Sequence, residues 1–285
     1  MLTLTTSGID VSQWQGAIDW AKVKAAGVQF ALIRSGYGNT LSYPKQIDTK
    51  YEANYKGCKA AGIPVGVYFY SYATTTAEAQ READSCIALL KGKQFEYPIY
   101  YDVEEMRTFN TGKTNEIIQA FADKLEAAGY WVGIYIYRSA AERYLTSRTK
   151  SRYSMAIAEY ASSCHYSGSY GIWQNTSSWA VNGISGRVDH DYCYRDYPTE
   201  IKAKGKNGYP KPSTDFRIET IADADILFGT STADAPPVQA CVPKGRQYTI
   251  EKTTTIDGQK FGKIKEKPEK ADRSRWIALR FTKTI

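Results

Sequence analysis

Short apolar runs alternate with amphipathic stretches over the first 200 residues of the chain. In three places an amphipathic stretch ends in Ala-Ala-Gly, at residues 25–27, 60–62 and 127–129, and an apolar run follows directly. Glycine is the usual residue just past the end of a helix, because it adopts a positive φ at little steric cost. The pattern therefore predicts a helix before each Ala-Ala-Gly and a strand after it.

The predicted strands are short and rich in β-branched and aromatic residues, as is typical of strands buried on both faces. They are the run ending at Asp10, Val28–Ile33, Ile63–Tyr70, Tyr97–Val103, Tyr130–Tyr137, Ser154–Ala158, Gly171–Gln174 and Gly186–Asp189. The predicted helices are Ile18–Ala26, Thr49–Ala61, Thr76–Leu90 and Thr114–Ala128. Such alternation indicates a parallel sheet, and about eight strands predict a closed, irregular α/β barrel of the TIM type, with few helices after residue 150.

The pattern changes at residues 203–215, which read AKGKNGYPKPSTD and have the composition of a linker. Helical periodicity is absent beyond this stretch, and short β-like runs are separated by turn signals. These runs are Phe216–Ile221, Val238–Val242, Tyr248–Lys252, Lys260–Ile264 and Trp276–Phe281. We therefore expect a barrel domain over residues 1–204, a linker over 205–213 and a small all-β domain over 214–285.

Composition and charge narrow the class of ligand. The chain has 23 Tyr and 6 Trp, whose rings have the flat apolar face and polar edge that suit sugars, although a Tyr-rich core explains them equally well. The net charge is +7, and residues 205–285 carry 15 Lys and Arg against 10 Asp and Glu. A basic C-terminal part favours a polyanion such as nucleic acid, an anionic membrane or the teichoic-acid-bearing bacterial wall. No Lys/Arg run is dense enough to favour nucleic acid.

Other classes of site and location are disfavoured. The five cysteines, Cys58, Cys86, Cys164, Cys193 and Cys241, form no CxxC spacing, and the two histidines complete no zinc pattern. We therefore expect no metal, no cofactor and no disulfide framework, and synthesis in a reducing cytoplasm. The N-terminal stretch MLTLTTSGIDVSQW is not a standard signal peptide, and no run approaches the ~20 apolar residues of a membrane span.

Polar residues follow the predicted strands, and in a parallel barrel those strand ends surround one mouth, where active sites form. They are Asp10, Arg34, Ser71, Tyr72, Asp102, Glu104, Glu105, Tyr137, Glu159, Gln174, Asp189 and Asp191. For any one acid, solvation or pairing with Lys or Arg is the simpler explanation. The set as a whole predicts an acidic site.

The sharpest signal is Asp102 and Glu104, which come directly at the end of the apolar run YPIYY. Side chains two apart on a strand face the same way, so both carboxylates should point into the mouth. Neighbouring carboxylates raise each other's pKa, which keeps one of them protonated near neutral pH. A glycosidase needs such an acid to protonate the departing oxygen. We expect Glu105 at the surface and His190 as a local hydrogen-bond partner.

Six stretches also carry a resemblance to a known family. They are GIDVSQWQGAIDW (8–20), FALIRSGYGN (30–39), AGIPVGVYFYSYA (61–73), YPIYYDVEE (97–105), GIWQNTS (171–177) and GRVDHDYCY (186–194). On these stretches the chain resembles glycoside hydrolase family 25, the lysozymes of bacteria and their phages. The resemblance implies an irregular barrel of eight strands and about five helices that cleaves the β-1,4 bond between N-acetylmuramic acid and N-acetylglucosamine.

The resemblance also implies roles for particular residues. Glu104 would be the general acid, Asp102 would orient or stabilise the substrate's acetamido group, and Asp10 and Asp189 match the two remaining active-site acids. The residues expected to line the sugar groove are Arg34, Tyr70, Tyr137, Trp173, Gln174 and Asp191. The sixth strand departs from the family pattern, because it has no Trp near Ala156. Since Asp102 and Glu104 share one side of one strand, substrate-assisted attack by the acetamido group is favoured over a protein nucleophile.

The tail, residues 214–285, resembles a bacterial Src-homology-3-like wall-binding domain on PKGRQYTIEK (243–252), FGKIKE (261–266) and WIALRFTK (276–283). A stabilising appendage without a ligand is the alternative. We thus expect a muramidase that acts on bacterial peptidoglycan, made without a signal peptide and released to the wall, as a phage or prophage lysin is. The alternatives are a non-catalytic wall-binding protein and a related glycosidase acting on chitin-like polymers.

Overall fold

The structure is a computed structural model that describes residues 5–211, 213, 215–222, 224–229, 240–256, 258–265 and 274–285. The chain divides into two compact units between residues 211 and 212. Within the described residues, no helix is both long and apolar enough to cross a membrane.

The first unit is a closed barrel of eight strands paired in chain order. The strands are β1 (Thr6–Val11), β2 (Phe30–Tyr37), β3 (Val65–Tyr70), β4 (Ile99–Asp102), β5 (Val132–Tyr137), β6 (Ser154–Ala158), β7 (Ile172–Trp179) and β8 (Val188–Cys193). Every pair from β1–β2 to β6–β7 is parallel, whereas β8 is antiparallel to both β7 and β1. The predicted barrel is confirmed, and the expectation that its strands are all parallel is wrong for β8.

Eight α-helices accompany these strands. They are α1 (Trp20–Ala25), α2 (Tyr51–Ala60), α3 (Thr76–Leu90), α4 (Met106–Asn110), α5 (Thr114–Ala127), α6 (Arg138–Tyr144), α7 (Ser147–Arg152) and α8 (Tyr197–Ala203). The sequence pattern predicted α1, α2, α3 and α5, and the resemblance implied about five helices. The four helices beyond that prediction have five to seven residues each, too short for two turns of amphipathic periodicity to stand out.

Two apolar layers hold the barrel together. The outer layer lies between the strands and the helices and contains most of the buried aliphatic residues. The inner layer fills the bottom of the barrel and includes Phe30, Tyr100 and Ile172, with Tyr197 of α8 packed among them. The barrel is therefore a packed core below its mouth.

Glycine on the inner face makes room for the large rings of the inner layer. At Gly133 on β5, an added Cβ would lie 2.3 Å from Cε1 of Tyr100 and 2.8 Å from the carbonyl oxygen of Ser154. At Gly8 on β1, an added Cβ would lie 2.4 Å from the ring of Phe30. The packing of the large rings below the mouth thus requires glycine at the positions that face them.

The first unit extends beyond residue 204, which shortens the predicted linker. Asn207 is buried at a φ of 54°, its Oδ1 accepts from the backbone N–H of Trp131 at 2.7 Å, and its Nδ2 donates to the carbonyl of Tyr97 at 2.8 Å. The Tyr209 hydroxyl donates to Glu96. Residues 205–209 therefore close the bottom of the barrel, because the edges of β4 and β5 leave backbone groups there that need partners.

The second unit is an antiparallel sheet in the order β11-β10-β14-β13-β12-β9-β15. Its strands are β9 (Phe216–Thr220), β10 (Ala224–Gly229), β11 (Ala240–Val242), β12 (Gln247–Ile256), β13 (Gln259–Ile264), β14 (Ser274–Ala278) and β15 (Thr282–Thr284). Residues 238 and 239 of the predicted strand Val238–Val242 lie outside the described residues. The all-β class is confirmed, whereas the Src-homology-3-like identity stays a prediction.

We expect Asn207→Ala to lower the free energy of unfolding of the barrel by about 2–4 kcal/mol, because two buried backbone groups lose their partners and alanine resists a positive φ. Asn207→Gly should cost less, since glycine removes the backbone strain and loses only the hydrogen bonds. Urea unfolding followed by tryptophan fluorescence measures both. The exposed Asn182→Ala serves as the control and should change stability by less than about 0.5 kcal/mol; a similar value for Asn207→Ala would contradict the assignment of residue 207 to the barrel.

Candidate active site

A cavity of about 260 Å³ opens at the mouth of the barrel, at the ends of the parallel strands. Four carboxylates line it: Asp10, Asp102, Glu104 and Asp189. Arg34 is the one cation among its described lining residues. The cavity is therefore an acidic pocket above an apolar floor.

Two different strand geometries bring these acids together. Asp102 is the last residue of β4, and Glu104 follows two residues later on the same side. Asp189 lies near the start of β8, and it reaches the mouth because β8 runs antiparallel and pairs Asp189 with Asp10 of β1. The sequence placed Asp189 at the mouth on the assumption of a parallel strand end; its presence there has a different cause.

Asp102 is buried, with 4% of its surface exposed. Burial raises its pKa well above the usual value, and the charges of Glu104 and Glu105 add to the rise, while Arg34 opposes it. Its Oδ1 has no hydrogen-bond partner among the described residues. A buried carboxyl oxygen without a partner is costly, and it is expected where a ligand supplies the missing donor.

Glu104 has a pKa raised to about 7, first by burial and then by the negative charges of Asp189 and Glu105. At neutral pH the carboxyl is thus present in both its acid and its base form. General acid–base catalysis is most effective when the pKa lies near the working pH. Glu104 is therefore suited to donate a proton and to take one back.

Asp10 is anchored by Gln174, whose Nε2 donates to its Oδ2 at 2.6 Å. Burial raises the pKa of Asp10, and the charges of Asp191 and Asp189 add to the rise. Asp191 lies below the cavity and does not line it; burial and the charge of Asp189 raise its pKa to about 8. Three carboxyl groups on β1 and β8 therefore share protons rather than carry three charges.

Arg34 is held in place by a buried acid. Its Nε donates to Oδ2 of Asp48 at 2.8 Å, and the Asp48 side chain is fully buried. The same oxygen accepts from the backbone N–H of Gln13 at 2.9 Å. The guanidinium also lies 5.9 Å from the ring centre of Tyr37. Arg34 thus offers a fixed positive charge to the acidic cavity.

Of the remaining predicted groove residues, Tyr70 and Gln174 line the cavity, whereas Tyr137 and Trp173 do not. The Tyr137 ring packs edge-on against Phe109, with 5.9 Å between ring centres. Trp173 points to the opposite face of β7 from Gln174, and its Nε1 donates to the carbonyl of Glu159 at 2.8 Å.

Glu105, expected at the surface, is partly buried and accepts from the Tyr70 hydroxyl at 3.0 Å. This hydrogen bond ties Glu105 to a lining residue of the cavity. The residue therefore belongs to the wall of the site rather than to open solvent. His190 makes local hydrogen bonds with Ser7 (2.7 Å) and Asn175 (2.6 Å), as expected.

Sequence reasoning missed two exposed rings at the rim, Trp14 and Tyr160, which are 77% and 61% exposed and line the cavity. Trp14 sits in a 3-10 helix over Gln13–Gln15 that Ser12 and Gln15 close with a capping box. Tyr160 follows β6, directly after Glu159. The position of Trp14 three residues after the end of β1 was an available signal, because exposed aromatic faces beside a cavity suit sugars.

Comparisons with known proteins agree with this geometry. The model of glycosyl hydrolases family 25 matches residues 9–184. The autolytic lysozyme of Clostridium acetobutylicum is 31% identical over 185 residues, which cover 65% of this chain and 54% of that protein. The modular autolysin LytC from Streptococcus pneumoniae superimposes with a TM-score of 0.59 at 31% identity, over 67% of this chain and 47% of LytC.

A third relative is the bacterial lysozyme from Streptomyces coelicolor, with a TM-score of 0.58 at 26% identity, over 66% of this chain and 92% of that one. The chain spans about half the length of the autolytic lysozyme and of LytC. The residues matched by the family model lie within the barrel.

We expect the carboxyl of Glu104 to titrate near pH 7, and Asp189→Asn to move its midpoint downward. Removing the negative charge of Asp189 removes one of the causes that raise the pKa of Glu104, so the pKa must fall. Carbon-13 NMR of glutamate carboxyls over pH 4–9 measures the midpoint. Glu116→Gln, an exposed acid on α5, is the control. An unchanged or higher midpoint in Asp189→Asn would contradict the electrostatic coupling.

We also expect the stability of the barrel to fall as pH rises from 5 to 8, with a shallower slope in Asp191→Asn. The folded protein keeps the Asp191 proton up to about pH 8, whereas the unfolded chain loses it near pH 4, so the favourable contribution is lost as pH rises through the folded pKa. One such group accounts for at most about 1.4 kcal/mol per pH unit. Urea unfolding at four pH values measures the slope, and equal slopes in the two proteins would refute the assignment.

Proposed function

The chain belongs to family 25 of the glycosyl hydrolases, and on that premise we propose that it is a muramidase that hydrolyses bacterial peptidoglycan. The bond cleaved is the β-1,4 bond between N-acetylmuramic acid and N-acetylglucosamine. The observation that carries the proposal is Glu104, a carboxyl with a pKa of about 7 in a cavity lined by three other acids.

In the first step, Glu104 donates its proton to the glycosidic oxygen as the bond from that oxygen to C1 of N-acetylmuramic acid breaks. The leaving N-acetylglucosamine then carries a neutral hydroxyl instead of an alkoxide, which lowers the barrier. The Glu104 carboxylate left behind takes a proton from the water that later attacks C1. The raised pKa of Glu104 allows it both to donate and to accept a proton near neutral pH.

Asp102 lies on the same side of the chain, two residues before Glu104, and its free Oδ1 suits the acetamido N–H of the sugar. A hydrogen bond there orients the acetamido group, whose carbonyl oxygen attacks C1 as the leaving group departs. Water then attacks C1 and the bond to the acetamido oxygen breaks. We favour this substrate-assisted route because Asp102 and Glu104 project from the same side of one strand, so neither faces the other across the sugar ring.

Other lining residues would bind and position the glycan. Asp10, held by Gln174, and Asp189 accept from sugar hydroxyls and support positive charge at C1 in the transition state. Arg34 donates from the cavity wall, and the exposed faces of Trp14 and Tyr160 stack against sugar rings. Tyr160 offers an aromatic ring at the end of β6, the strand on which the family-typical Trp is missing.

We propose further that the second unit binds the bacterial wall and raises the local concentration of the barrel there. Its basic composition supports attraction to an anionic polymer. The action of the chain at the wall and a phage-lysin origin stay predictions of the same proposal.

We expect Glu104→Gln to lower the rate of peptidoglycan hydrolysis by about 10²–10⁴-fold, because glutamine has no proton to donate. Glu116→Gln is the control: it removes an exposed carboxylate on α5 that does not line the cavity, and it should retain most of the activity. Turbidity clearance of purified peptidoglycan measures the rate, and chemical identification of the new reducing ends establishes the bond.

The alternatives give different results in the same assay. Muramic-acid reducing ends from the unmodified protein support the proposal. Release of sugar only from unmodified N-acetylglucosamine chains favours a chitin-type glycosidase. Binding to the wall without any new reducing end overturns the enzymatic proposal and leaves a wall-binding protein.

A further inference from the structure

A second cavity, which we call the side cavity, lies next to the acidic one and is not used by the mechanism above. It has a volume of about 330 Å³ and is lined by the loop carrying Gly38, Tyr43 and Gln46, and by Tyr72 and the start of α3. Gln46 holds the loop closed, because its Oε1 accepts from the backbone N–H of Asn39 at 2.8 Å. The loop that forms one side of the side cavity is therefore held in a defined conformation.

Tyrosine rings join the two cavities. Tyr70 lines the acidic cavity and Tyr72 the side cavity, and their ring centres are 5.4 Å apart in an edge-to-face contact. Tyr37 contacts Tyr72 in the same manner at 5.5 Å, and Arg34 of the acidic cavity lies over Tyr37. The contact between Tyr70 and Tyr72 thus joins the glycan site to the side cavity.

The two carboxylates of the side cavity are engaged by the protein itself. Glu78 accepts from the backbone N–H and hydroxyl of Thr74, both at 2.8 Å, as part of the cap of α3. Glu82 accepts from the backbone N–H of Tyr72 at 2.7 Å and from the Tyr101 hydroxyl at 2.5 Å. Neither group is free to bind a cationic ligand.

Arg81 is different. It lines the side cavity from α3, its side chain is exposed, and it makes no hydrogen bond or ion pair with any residue that the structure describes. The exposed ring of Tyr43, 63% of whose surface is accessible, lines the same cavity. A free guanidinium beside two tyrosine rings is suited to a peptide that carries a carboxylate.

The glycan of peptidoglycan carries such a group on every N-acetylmuramic acid, as a short stem peptide linked through a lactyl group. A peptide extends about 3.3–3.6 Å per residue, so two residues span the 5.4 Å between the ring centres of Tyr70 and Tyr72. We propose that the side cavity is a subsite for this stem peptide and that Arg81 pairs with one of its carboxylates. The inference rests on the proposed muramidase function and adds a preference for peptide-bearing substrate.

The test compares three soluble glycan oligomers: one with a tripeptide stem and free carboxylates, one with the same stem amidated, and one stripped of peptide by an amidase. We expect Arg81→Gln to lower kcat/KM on the first oligomer by about tenfold, the effect of losing one charge-assisted hydrogen bond. It should leave kcat/KM on the other two unchanged. Lys91→Gln, an exposed cation at the far end of α3, is the control and should alter none of the three.

Three outcomes overturn the proposal, and they are distinguishable. If the unmodified protein cleaves all three oligomers with equal kcat/KM, the subsite is refuted and the muramidase function stands. If Arg81→Gln lowers kcat/KM equally on all three, Arg81 acts on the glycan or on the fold, and a melting temperature separates these two. If the unmodified protein cleaves no oligomer, the proposed function itself fails and the subsite fails with it.

Discussion

The antiparallel closure of the barrel by β8 is the constraint on which the acidic site depends. A parallel eighth strand would carry its first residues to the bottom of the barrel, far from the mouth. Running antiparallel, β8 instead pairs Asp189 with Asp10 and places Asp191 beneath them. The charge of Asp189 is one of the causes that raise the pKa of Glu104. The antiparallel direction of β8 thus both closes the barrel and contributes to the raised pKa of Glu104, the candidate general acid.

The apolar floor makes this electrostatic arrangement effective. Phe30, Tyr100 and the residues around them fill the barrel directly below the carboxyl groups and exclude water from that side. Burial is the first cause of the raised pKa of Asp102, Glu104 and Asp191 alike. These buried acids therefore lower the free energy of unfolding at high pH, and the packing of the apolar core below them offsets that loss of stability.

The sequence identified the barrel and the pair Asp102 and Glu104 because both rest on local patterns: glycine after helices, and alternation along one strand. The direction of β8 depends on pairing between distant segments, and no local pattern carries it. The family resemblance placed both Trp173 and Gln174 in the groove, yet neighbours on a strand face opposite ways, and only Gln174 lines the cavity. Trp14 was missed because it lies in a 3-10 helix after β1, and three residues are too few to show a hydrophobic periodicity.

A buried hydrogen-bond network behind Tyr72 holds the wall between the two cavities in place. Ser71 and Tyr101 meet Glu82 in a fully buried network, and the same glutamate accepts from the backbone N–H of Tyr72. The network ties α3, which carries Arg81, to the ends of β3 and β4, which carry Tyr70 and Asp102. A shift of α3 would leave buried polar groups without partners, and such groups are expensive to expose to an apolar core. The distance between Arg81, the proposed peptide contact, and the acids is therefore fixed by the core of the barrel rather than by its surface loops. A site that binds two parts of one substrate at once requires such a fixed distance.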